Sequence, residues 1–539
     1  MFFETTLTQA RIDASEAQWP NDHLIDRFLA RLPERTDQPL VVDAVGTISW
    51  GEVAESVDAA SKALVGLGVR RSDVVQLQLP NRREFLIMVL AVERVGAVVQ
   101  PVAPIFRHNE VAVMNELAKP KVVITVDEFR GFALAAMHAD IGEAAPWLEQ
   151  IVVVEGTGGA ARATARCLPW DDFLDHGRAS ALDDVGIELL RPSVHDVCEI
   201  IFTSGTTGQP KGVMHNQNTL NVATDLWRER VAADATVFHM ASTLAHQTGY
   251  LYGVRAPICA GGTVVYQQIW DPVEFVDLVD THRIQVSMGA TPFLADVLAV
   301  DGVSERDLSS FEAFVCAGAA IPLPVLERAR ALLPCTVMPG WGMTETALST
   351  TSFRDSAFEK LSTDGVPLAG NAVRVVDEDG TPCGPGVEGD LQFSGSLLFI
   401  GYIQGRELTE SCFDGEWFDT GDRATMDADG FISISGRTKD IVIRGGENVP
   451  VKEVEDVLLR HPSVANVAIV AKPHERLGEI GCAVILAEGD APSLIDLTDF
   501  LAEQQVTKQF WPEDLVVVDE FPMTPSGKIQ KYQLRALID

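Results

Sequence analysis

The stretch Ile201-Phe-Thr-Ser-Gly-Thr-Thr-Gly-Gln-Pro-Lys-Gly-Val213 decides how this chain is interpreted. An apolar run leads into a loop of hydroxyl and glycine residues that ends at Lys211. The loop residues are Thr203, Ser204, Gly205, Thr206 and Thr207, followed by two further glycines. Glycines let backbone N–H groups converge on an anion, and a lysine supplies countercharge. The stretch therefore predicts a strand followed by a phosphate-binding loop. It is not a Walker A loop, because Lys211 follows proline and precedes glycine.

Outward from this loop, short β-branched runs alternate with longer helical patterns. Val74–Leu79 is typical of a strand, Glu84–Val95 of a helix, and Gly96–Val102 of another strand. Such alternation predicts largely parallel sheets that are covered by helices. After about Pro367 the pattern changes to short strands around Asp-Gly turns, such as Asp429-Gly430, which indicates an antiparallel meander or a distorted barrel.

The length of 539 residues is too great for one compact core, so the sequence predicts more than one domain. We expect an α/β protein whose large N-terminal domain, residues 1–437, contains two helix-flanked, mainly parallel sheets and a distorted β-barrel. A hinge at residues 438–440 would precede a small, mobile α+β C-terminal domain at residues 441–539.

Charge and composition exclude several classes of protein. The net charge of -35 argues against nucleic acid or an anionic membrane as a partner, since both require a basic face. The eight cysteines form no C-x-x-C pair, and no histidine spacing typical of zinc enzymes occurs. The N-terminal residues lack the basic start and apolar core of a signal peptide. We expect a cytoplasmic protein with neither a membrane nor a nucleic-acid partner.

The glycine- and threonine-rich loop resembles the phosphate loop of the acyl-adenylate-forming superfamily, the AMP-binding acyl-CoA synthetases and their relatives. The other motifs of that family follow in the same order and cover nearly the whole chain. They are Gly340–Glu345, Trp417–Asp422, Gly436–Asp440, Ile443–Asn448 and Pro525–Lys528. The resemblance implies an AMP-forming carboxylate:CoA ligase that uses ATP, Mg²⁺ and CoA.

The resemblance also implies roles at the nucleotide. Trp341 would stack on adenine, Thr344 would contact the α-phosphate, and Glu345 would hold Mg²⁺, an ion that prefers carboxylate and phosphate oxygens. The remaining nucleotide contacts implied by the motifs, besides the phosphate loop, are Gly318 and Ala319 at the adenine, Gly342 beside Trp341, and Asp422 and Arg437 at the ribose.

Three further roles follow from the resemblance at the C-terminal end. Lys528 would be the catalytic lysine that bridges the attacking carboxylate and the α-phosphate, where a preorganised charge contributes several kcal/mol. Lys439 would be the hinge about which the C-terminal domain rotates between the two half-reactions. Gly445 and Gly446 would let the pantetheine arm of CoA pass close to the backbone.

The acid pocket is placed by position in family members. Its residues would be Trp227, His246, Gln247, Gly249, Tyr250, Gly318, Gly340 and Met343. His246 would contact the acid carboxylate or gate the pocket. Within the family, the segment Ala245–Gly253 looks most like cyclohexanecarboxylate:CoA ligases and their medium-chain relatives, so the predicted acids are alicyclic, aromatic or medium-chain.

The sequence leaves the acid, the final acceptor and the oligomeric state open, a homodimer included. A carrier-protein thiol is an alternative to CoA, because both end in the same pantetheine. Nitrite is an alternative acid, since some relatives in biosynthetic pathways activate nitrite with ATP. A non-catalytic nucleotide or acyl sensor is a further alternative. The presence of both Lys528 and Glu345 argues against a sensor, which would need neither residue.

Overall fold

The structure is a computed structural model. It describes residues 3–155, 166–188, 190–203, 210–317, 321, 323–437, 442–444, 447–449, 451–474, 477–504, 506, 508–524 and 528–538. Four β-sheets organise the described chain, and helices cover the two larger ones.

The first large sheet has seven strands, and it contains the strand that leads to the predicted phosphate loop. In spatial order the strands are Cys167–Pro169, Gln150–Val154, Val122–Val126, Val74–Gln78, Val98–Pro101, Val197–Thr203 and Lys211–Asn216. All neighbours are parallel except the last pair, which forms an antiparallel hairpin. The central strands are buried on both faces, which explains their continuous apolar runs.

The second large sheet has nine strands and a parallel centre. In order they are Val366–Pro367, Ala347–Thr351, Thr336–Met343, Ala313–Ala317, Val286–Gly289, Val237–Met240, Thr263–Tyr266, Pro39–Asp43 and Gly46–Ser49. Antiparallel pairs occur only at its two edges. Thr336–Met343 and its antiparallel neighbour carry the Gly340–Glu345 motif at their turn.

Two smaller sheets follow. The antiparallel one contains Ala372–Val376, Gly389–Ser394, Trp417–Met426, Phe413–Asp414 and Ile432–Arg437, and it corresponds to the predicted distorted barrel. The C-terminal sheet contains Glu447–Val449, Val442–Arg444, Gly478–Ala487, Val464–His474 and Asp514–Val518. Only its last strand pairs in parallel. The predicted fold class is therefore confirmed. The domain limits stay a prediction, and the hinge residue Lys439 lies outside the described residues.

The helices lie between and around these sheets. In the larger part they are Gln9–Ser15, Leu24–Arg35, Trp50–Gly66, Arg83–Arg94, His108–Ala118, Leu134–Ala144, Trp170–Arg178, Asp184–Glu188, Gln217–Val231, Ala256–Ala260, Pro272–His282, Thr291–Leu298, Leu323–Leu332, Phe358–Leu361 and Arg406–Ser411. A π-helix spans Gly249–Arg255, and a 3₁₀ turn spans Val303–Glu305. The C-terminal part has Val451–Leu458, Leu494–Glu503, the 3₁₀ turn Lys508–Phe510 and Lys531–Ile538.

Local sequence explains where several of these helices begin. Ser49 and Glu52 form a reciprocal capping box at the start of Trp50–Gly66. Asp271 caps Pro272–His282, and the proline takes the first helical position, where no N–H is needed. No described helix is long and apolar enough to cross a membrane.

Candidate active site

The predicted phosphate loop lies between two paired strands. Thr203 ends the incoming strand and pairs with Lys211 at the start of the outgoing one. The hairpin packs against residues 399–403, where the Ile403 N–H donates to the Gly212 carbonyl at 2.8 Å. A Cβ at Gly212 would lie 2.5 Å from Ile403 Cγ2, so this close approach requires glycine. The loop residues Ser204, Gly205, Thr206 and Thr207 lie outside the described residues.

Glu345, the predicted Mg²⁺ ligand, is positioned by Tyr402, which lies in the segment 399–403 that packs against the hairpin. The Tyr402 hydroxyl donates to Glu345 Oε1 at 2.7 Å. Glu345 is buried, and burial together with this carboxylate raises the pKa of Tyr402, so the phenol stays protonated as a donor. The Lys211 ammonium lies 5.2 Å from the centre of the Tyr402 ring. Tyr402 therefore connects the predicted phosphate lysine with the predicted metal ligand.

Thr344, the predicted α-phosphate contact, is positioned by a buried histidine. His215 Nε2 lies 2.8 Å from the Thr344 carbonyl oxygen. Because a carbonyl oxygen only accepts, Nε2 carries the proton. Burial lowers the pKa of His215 to about 4, so the ring is neutral at pH 7. His215 thus holds the turn between the two antiparallel strands without adding charge.

That turn is tight and strained. Ala347, the first residue after it, is buried with a φ of 54°, a region that residues with a Cβ rarely adopt. A Cβ at Gly342 would lie 2.0 Å from the Ala347 carbonyl oxygen, so only glycine fits opposite it. Strained backbone of this kind persists where surrounding packing enforces it, and it occurs often at functional sites.

Trp341 and Asp422, predicted to contact adenine and ribose, meet directly. The Trp341 indole N–H donates to Asp422 Oδ2 at 2.8 Å, and both side chains are buried. The Asp422 backbone pairs with that of Arg437 on the neighbouring strand. The described structure of Arg437 is confined to its backbone. Gly318 and Ala319, the predicted adenine wall, lie outside the described residues.

His246 and Lys528 bring the acid segment and the C-terminal part together. Burial and, to a smaller extent, the positive charge of Lys528 together lower the pKa of His246 to about 4. His246 is half-buried, and its Nδ1 accepts from the Thr248 N–H at 3.3 Å. It is therefore neutral at pH 7. The predicted catalytic lysine and the predicted acid-contacting histidine share one electrostatic environment.

Lys528 is carried on a short hairpin. The Lys528 N–H donates to Thr524 Oγ1 at 3.0 Å, and the Thr524 N–H donates to the Lys528 carbonyl at 2.7 Å. Residues 525–527 of this motif lie outside the described residues, as do the predicted CoA-contacting residues Gly445 and Gly446.

The acid segment continues into the π-helix Gly249–Arg255. Tyr250 is fully buried, and its hydroxyl donates to Glu93 Oε1 at 3.2 Å. Arg255 donates to the same oxygen at 2.7 Å. The Tyr250 hydroxyl is thus directed to the internal ion pair of Glu93 and Arg255. π-Helices are rare and occur often at functional sites.

The remaining predicted pocket residues are packed around this segment. Trp227 is 1% exposed and stacks on Tyr252 with ring centres 4.6 Å apart. Its indole N–H has no hydrogen-bond partner among the described residues. Gly340 and Met343 lie on the strand Thr336–Met343 that leads into the strained turn. The pocket roles of these residues stay predictions.

Among the described residues, the predicted magnesium site contains one carboxylate ligand, Glu345. Glu345 supplies one buried carboxylate oxygen shared with Tyr402, and the described residues contain no group of three or more His, Cys, Asp or Glu that could hold a metal. Mg²⁺ is usually bound by one or two carboxylates together with substrate phosphates. The site therefore suits an ion that arrives with a nucleotide.

Two residues of this arrangement, His215 and Tyr402, were missed by the sequence reasoning. His215 lies two residues beyond Val213, and its position on the outgoing strand of the hairpin was the only available signal. Tyr402 lies in no recognised motif. Only the tertiary structure brings it to Glu345.

Comparison with known proteins identifies two matching families. The AMP-binding enzyme family matches residues 28–403, and the C-terminal domain of AMP-binding enzymes matches residues 453–528. The chain is an AMP-binding enzyme. The predicted membership of the acyl-adenylate-forming superfamily is confirmed, and so is the predicted enzyme class, an AMP-forming acid–CoA ligase.

Curated relatives of this AMP-binding enzyme match over almost the whole chain. A medium-chain fatty-acid–CoA ligase of Escherichia coli is 32% identical over 524 residues, which cover 96% of this chain and 90% of the relative. A Mycobacterium tuberculosis ligase for 3-[(3aS,4S,7aS)-7a-methyl-1,5-dioxo-octahydro-1H-inden-4-yl]propanoyl:CoA is 30% identical, covering 95% and 98%. A feruloyl-CoA synthase of Amycolatopsis sp. is 30% identical, covering 90% and 93%.

Solved structures share the fold. The anthranilate CoA ligase AuaEII, in complex with anthranoyl-AMP, superposes with a TM-score of 0.86 at 23% identity, covering 97% of this chain and 98% of that one. ATP-bound MatB from Rhodopseudomonas palustris gives a TM-score of 0.81 at 26% identity, covering 96% and 99%.

Proposed function

We propose that this AMP-binding enzyme activates an alicyclic, aromatic or medium-chain carboxylic acid with ATP and transfers the acyl group to CoA. One observation carries the proposal. The Trp341 indole N–H donates to Asp422 Oδ2 at 2.8 Å and the Tyr402 hydroxyl donates to Glu345 Oε1 at 2.7 Å, so the residues assigned to adenine, ribose and Mg²⁺ are held around one turn. The strand of Trp341 ends in the turn of Thr344 and Glu345, which supplies the nucleotide end of the same site.

The first half-reaction joins the acid to the nucleotide. A carboxylate oxygen attacks the α-phosphorus of ATP, the bond from that phosphorus to the bridging oxygen breaks, and pyrophosphate leaves. Lys528 and Thr344 offset the charge that builds on the α-phosphate, where preorganised donors are worth most. Trp341 and Asp422, joined by their hydrogen bond, hold the adenosine.

Glu345 would hold Mg²⁺, which supplies neutralisation of the phosphate charge when bound. Tyr402 fixes the orientation of that carboxylate, and Lys211 lies on the other side of the Tyr402 ring. Neutral His246 avoids adding a second positive charge beside Lys528 and is able to donate a hydrogen bond to the acid.

The second half-reaction releases the acyl group. The CoA thiol gives its proton to solvent and its sulfur attacks the acyl carbon, while the bond from that carbon to the phosphate oxygen breaks and AMP leaves. We propose that Lys439 serves as the hinge and that Gly445 and Gly446 line the path of the pantetheine arm. The E. coli and M. tuberculosis relatives are named as CoA ligases, which supports CoA as the acceptor.

The test is pyrophosphate release across a panel of acids, with and without CoA. The panel contains cyclohexanecarboxylate, benzoates, cinnamates, hexanoate to decanoate, and nitrite with an aminoaryl acid. We expect release with an organic acid and CoA-dependent thioester formation. Release only with nitrite, or with an acid but no use of CoA, would contradict the proposal.

The lysine role is tested in the same assay. We expect Lys528→Ala to lower adenylation by at least about 100-fold while ATP still binds, because the lost charge acts mainly in the transition state. Lys62→Ala is the control, since Lys62 only pairs with Asp58 on the same helix surface. Full adenylation by Lys528→Ala would overturn the mechanism.

A further inference from the structure

The first described residues of the chain, 3–19, form a segment that we call the N-terminal strap. It contains the helix Gln9–Ser15 and precedes residue 28, where the match to the AMP-binding enzyme family begins. Phe3 and Trp19, at its two ends, are 7% and 5% exposed and belong to the large apolar core. The strap is therefore packed into the protein, and the family match does not account for it.

The strap is hydrogen-bonded along residues 396–403, the loop that packs against the phosphate hairpin. The Thr6 N–H donates to the Ile400 carbonyl at 2.9 Å. The Trp19 indole N–H donates to the Ser396 carbonyl at 3.0 Å, and this contact is buried. The position of the loop backbone therefore depends on the strap.

Arg11, in the first turn of the strap helix, adds a charged donor to these contacts. Its Nη2 donates to the Phe399 carbonyl at 2.8 Å and to the Leu398 carbonyl at 3.2 Å. The guanidinium also lies 5.6 Å from the centre of the Phe413 ring. Hydrogen bonds from a charged donor are stronger than those between neutral groups. Arg11 therefore fixes the loop backbone at residues 398 and 399.

The charge of Arg11 is retained although burial opposes it. Burial lowers the pKa of Arg11 to about 10, and no carboxylate among the described residues raises this pKa again. The guanidinium is still protonated at pH 7. An apolar side chain of similar length would avoid the loss of hydration that a buried charge suffers. The arginine is therefore better explained by its hydrogen bonds to the loop than by a contribution to stability.

The loop connects Arg11 to Glu345, the predicted Mg²⁺ ligand. The Phe399 N–H donates to the Glu345 carbonyl oxygen at 2.7 Å, so the residue that accepts from Arg11 also binds the backbone of Glu345. In the same loop, the Tyr402 hydroxyl donates to Glu345 Oε1 at 2.7 Å. Both the backbone and the side chain of Glu345 are thus held by the loop that Arg11 fixes.

We propose that Arg11 is a positioning residue for the magnesium site. It holds the loop so that the Glu345 carboxylate meets the metal ion that enters with ATP, and it acts through Phe399 and Tyr402 rather than by touching the nucleotide. The inference rests on the proposed function, in which Glu345 holds Mg²⁺. It adds to that function a residue that lies outside the segments matched by the family.

The test measures how much Mg²⁺ tightens nucleotide binding. Isothermal titration calorimetry gives the Kd of α,β-methylene-ATP, an analogue that cannot lose pyrophosphate, once with EDTA and once with saturating Mg²⁺. The ratio of the first Kd to the second should fall about three- to tenfold in Arg11→Met, because a displaced Glu345 binds the metal less well. General destabilisation would weaken binding in both conditions and leave the ratio unchanged. An unchanged ratio in Arg11→Met, or no effect of Mg²⁺ in the wild type, overturns the inference.

Further variants show whether Arg11 acts through Glu345. One nitrogen of Arg11 makes both carbonyl contacts, so Arg11→Lys keeps a charged donor and should restore most of the ratio. Arg11→Met combined with Tyr402→Phe should lower the ratio by less than the product of the two single effects, since both act on one carboxylate. Effects that multiply in full, or a lysine variant as impaired as the methionine variant, contradict the proposal. Arg11→Gln replaces Arg11→Met in these comparisons if the methionine variant does not fold.

Arg230→Met is the matched control. Arg230 also donates to two backbone carbonyls, those of Thr351 at 3.1 Å and Pro367 at 3.4 Å. Its guanidinium lies 3.9 Å from the centre of the Phe353 ring, and burial lowers the pKa of Arg230 as well. None of these contacts involves the loop or Glu345, so the ratio should equal that of the wild type. An equal fall in Arg230→Met and Arg11→Met would show that the effect is not specific to the strap.

Failure of this inference is distinguishable from failure of the proposed function. The calorimetry contains neither an acid nor CoA, so its outcome does not depend on which acid the enzyme activates. The proposed function fails if the wild-type protein releases no pyrophosphate with any organic acid. The inference fails if that release occurs while Arg11→Met keeps the wild-type ratio of the two Kd values.

Discussion

At the scale of single residues, the hydrogen bond between the Tyr402 hydroxyl and the Glu345 carboxylate can be removed by deleting one oxygen atom. In Tyr402→Phe, Glu345 loses the donor at 2.7 Å that orients it. A hydrogen bond to a charged group contributes about 1.5–3 kcal/mol, so we expect the Mg²⁺ concentration for half-maximal pyrophosphate release to rise about tenfold or more. The measurement is a Mg²⁺ titration of the adenylation rate.

Tyr532→Phe serves as the control for that titration. Tyr532 is 52% exposed on the helix Lys531–Ile538, and its hydroxyl accepts a hydrogen bond from the Gln533 amide at 2.9 Å. The Mg²⁺ dependence of the Tyr532→Phe variant should match that of the wild-type protein. An unchanged titration in Tyr402→Phe would show that Glu345 does not bind the metal through this arrangement.

The hydrogen bond from Trp341 to Asp422 is a second contact at this scale. Trp341→Phe keeps an aromatic face for adenine but removes the donor to a buried carboxylate. We expect the KM for ATP to rise about tenfold with a smaller change in kcat, since the pair would bind ground state and transition state alike.

Trp270→Phe is the matched control for this variant. The Trp270 indole N–H also donates to a carboxylate, Asp296, at 2.8 Å, but on the surface of the second sheet. Its KM for ATP should stay at the wild-type value. If Trp341→Phe left this KM unchanged, Asp422 would not depend on the indole for its orientation.

At the scale of elements, the strand Val197–Thr203 places the Glu199 carboxyl in the interior of the protein. Folding raises the pKa of Glu199 from 4.5 to about 8. The folded state therefore binds this proton more tightly, and the stability linked to it is full below pH 4.5 and is lost as the pH rises toward 8. The groups that act on it are Arg255, Glu93 and Gln247.

Glu199→Gln removes this titration. We expect the melting temperature of the variant relative to the wild type to increase by a few degrees between pH 5 and pH 8 and to level off above that. Thermal unfolding at several pH values measures it. A difference that stays constant from pH 5 to pH 9 would mean that Glu199 does not titrate in this range.

At the scale of the whole molecule, Lys452 joins the C-terminal part to the antiparallel sheet. Its ammonium donates to the Ile434 carbonyl at 2.5 Å, and its charge acts on the half-buried Asp364. In this arrangement the charge of Lys528 acts on His246, which fits the adenylating step proposed above. Lys452→Met should weaken the arrangement and slow adenylation severalfold, while thioester formation from preformed adenylate is spared.

Separate assays of the two half-reactions test this prediction. Lys472→Met is the control, because Lys472 pairs with Asp514 inside the C-terminal part and should not affect the balance. An equal loss in both half-reactions for Lys452→Met would indicate general destabilisation rather than a shifted arrangement.

Much of the fold follows from local pattern. The runs at residues 74–79 and 84–95 are read correctly as strand and helix, because periodicity and β-branching report burial directly. The turn at Asp429-Gly430 likewise joins two antiparallel strands. Local pattern does not predict which strands become neighbours in a sheet. The strand Val98–Pro101, for example, pairs with Val197–Thr203, which is about a hundred residues away in the chain.

The sequence by itself determined the family and the fold class, and it predicts the motif residues assigned to a nucleotide, since spacing within a short loop or turn specifies their chemistry. Only the tertiary structure decided which hydrogen bonds and which buried groups surround these motif residues. Tyr402 and His215 acquire their hydrogen-bond partners, and Glu199 acquires its raised pKa, from parts of the protein that are far apart in the chain. Burial and long-range contact set these properties, and no local pattern encodes either one.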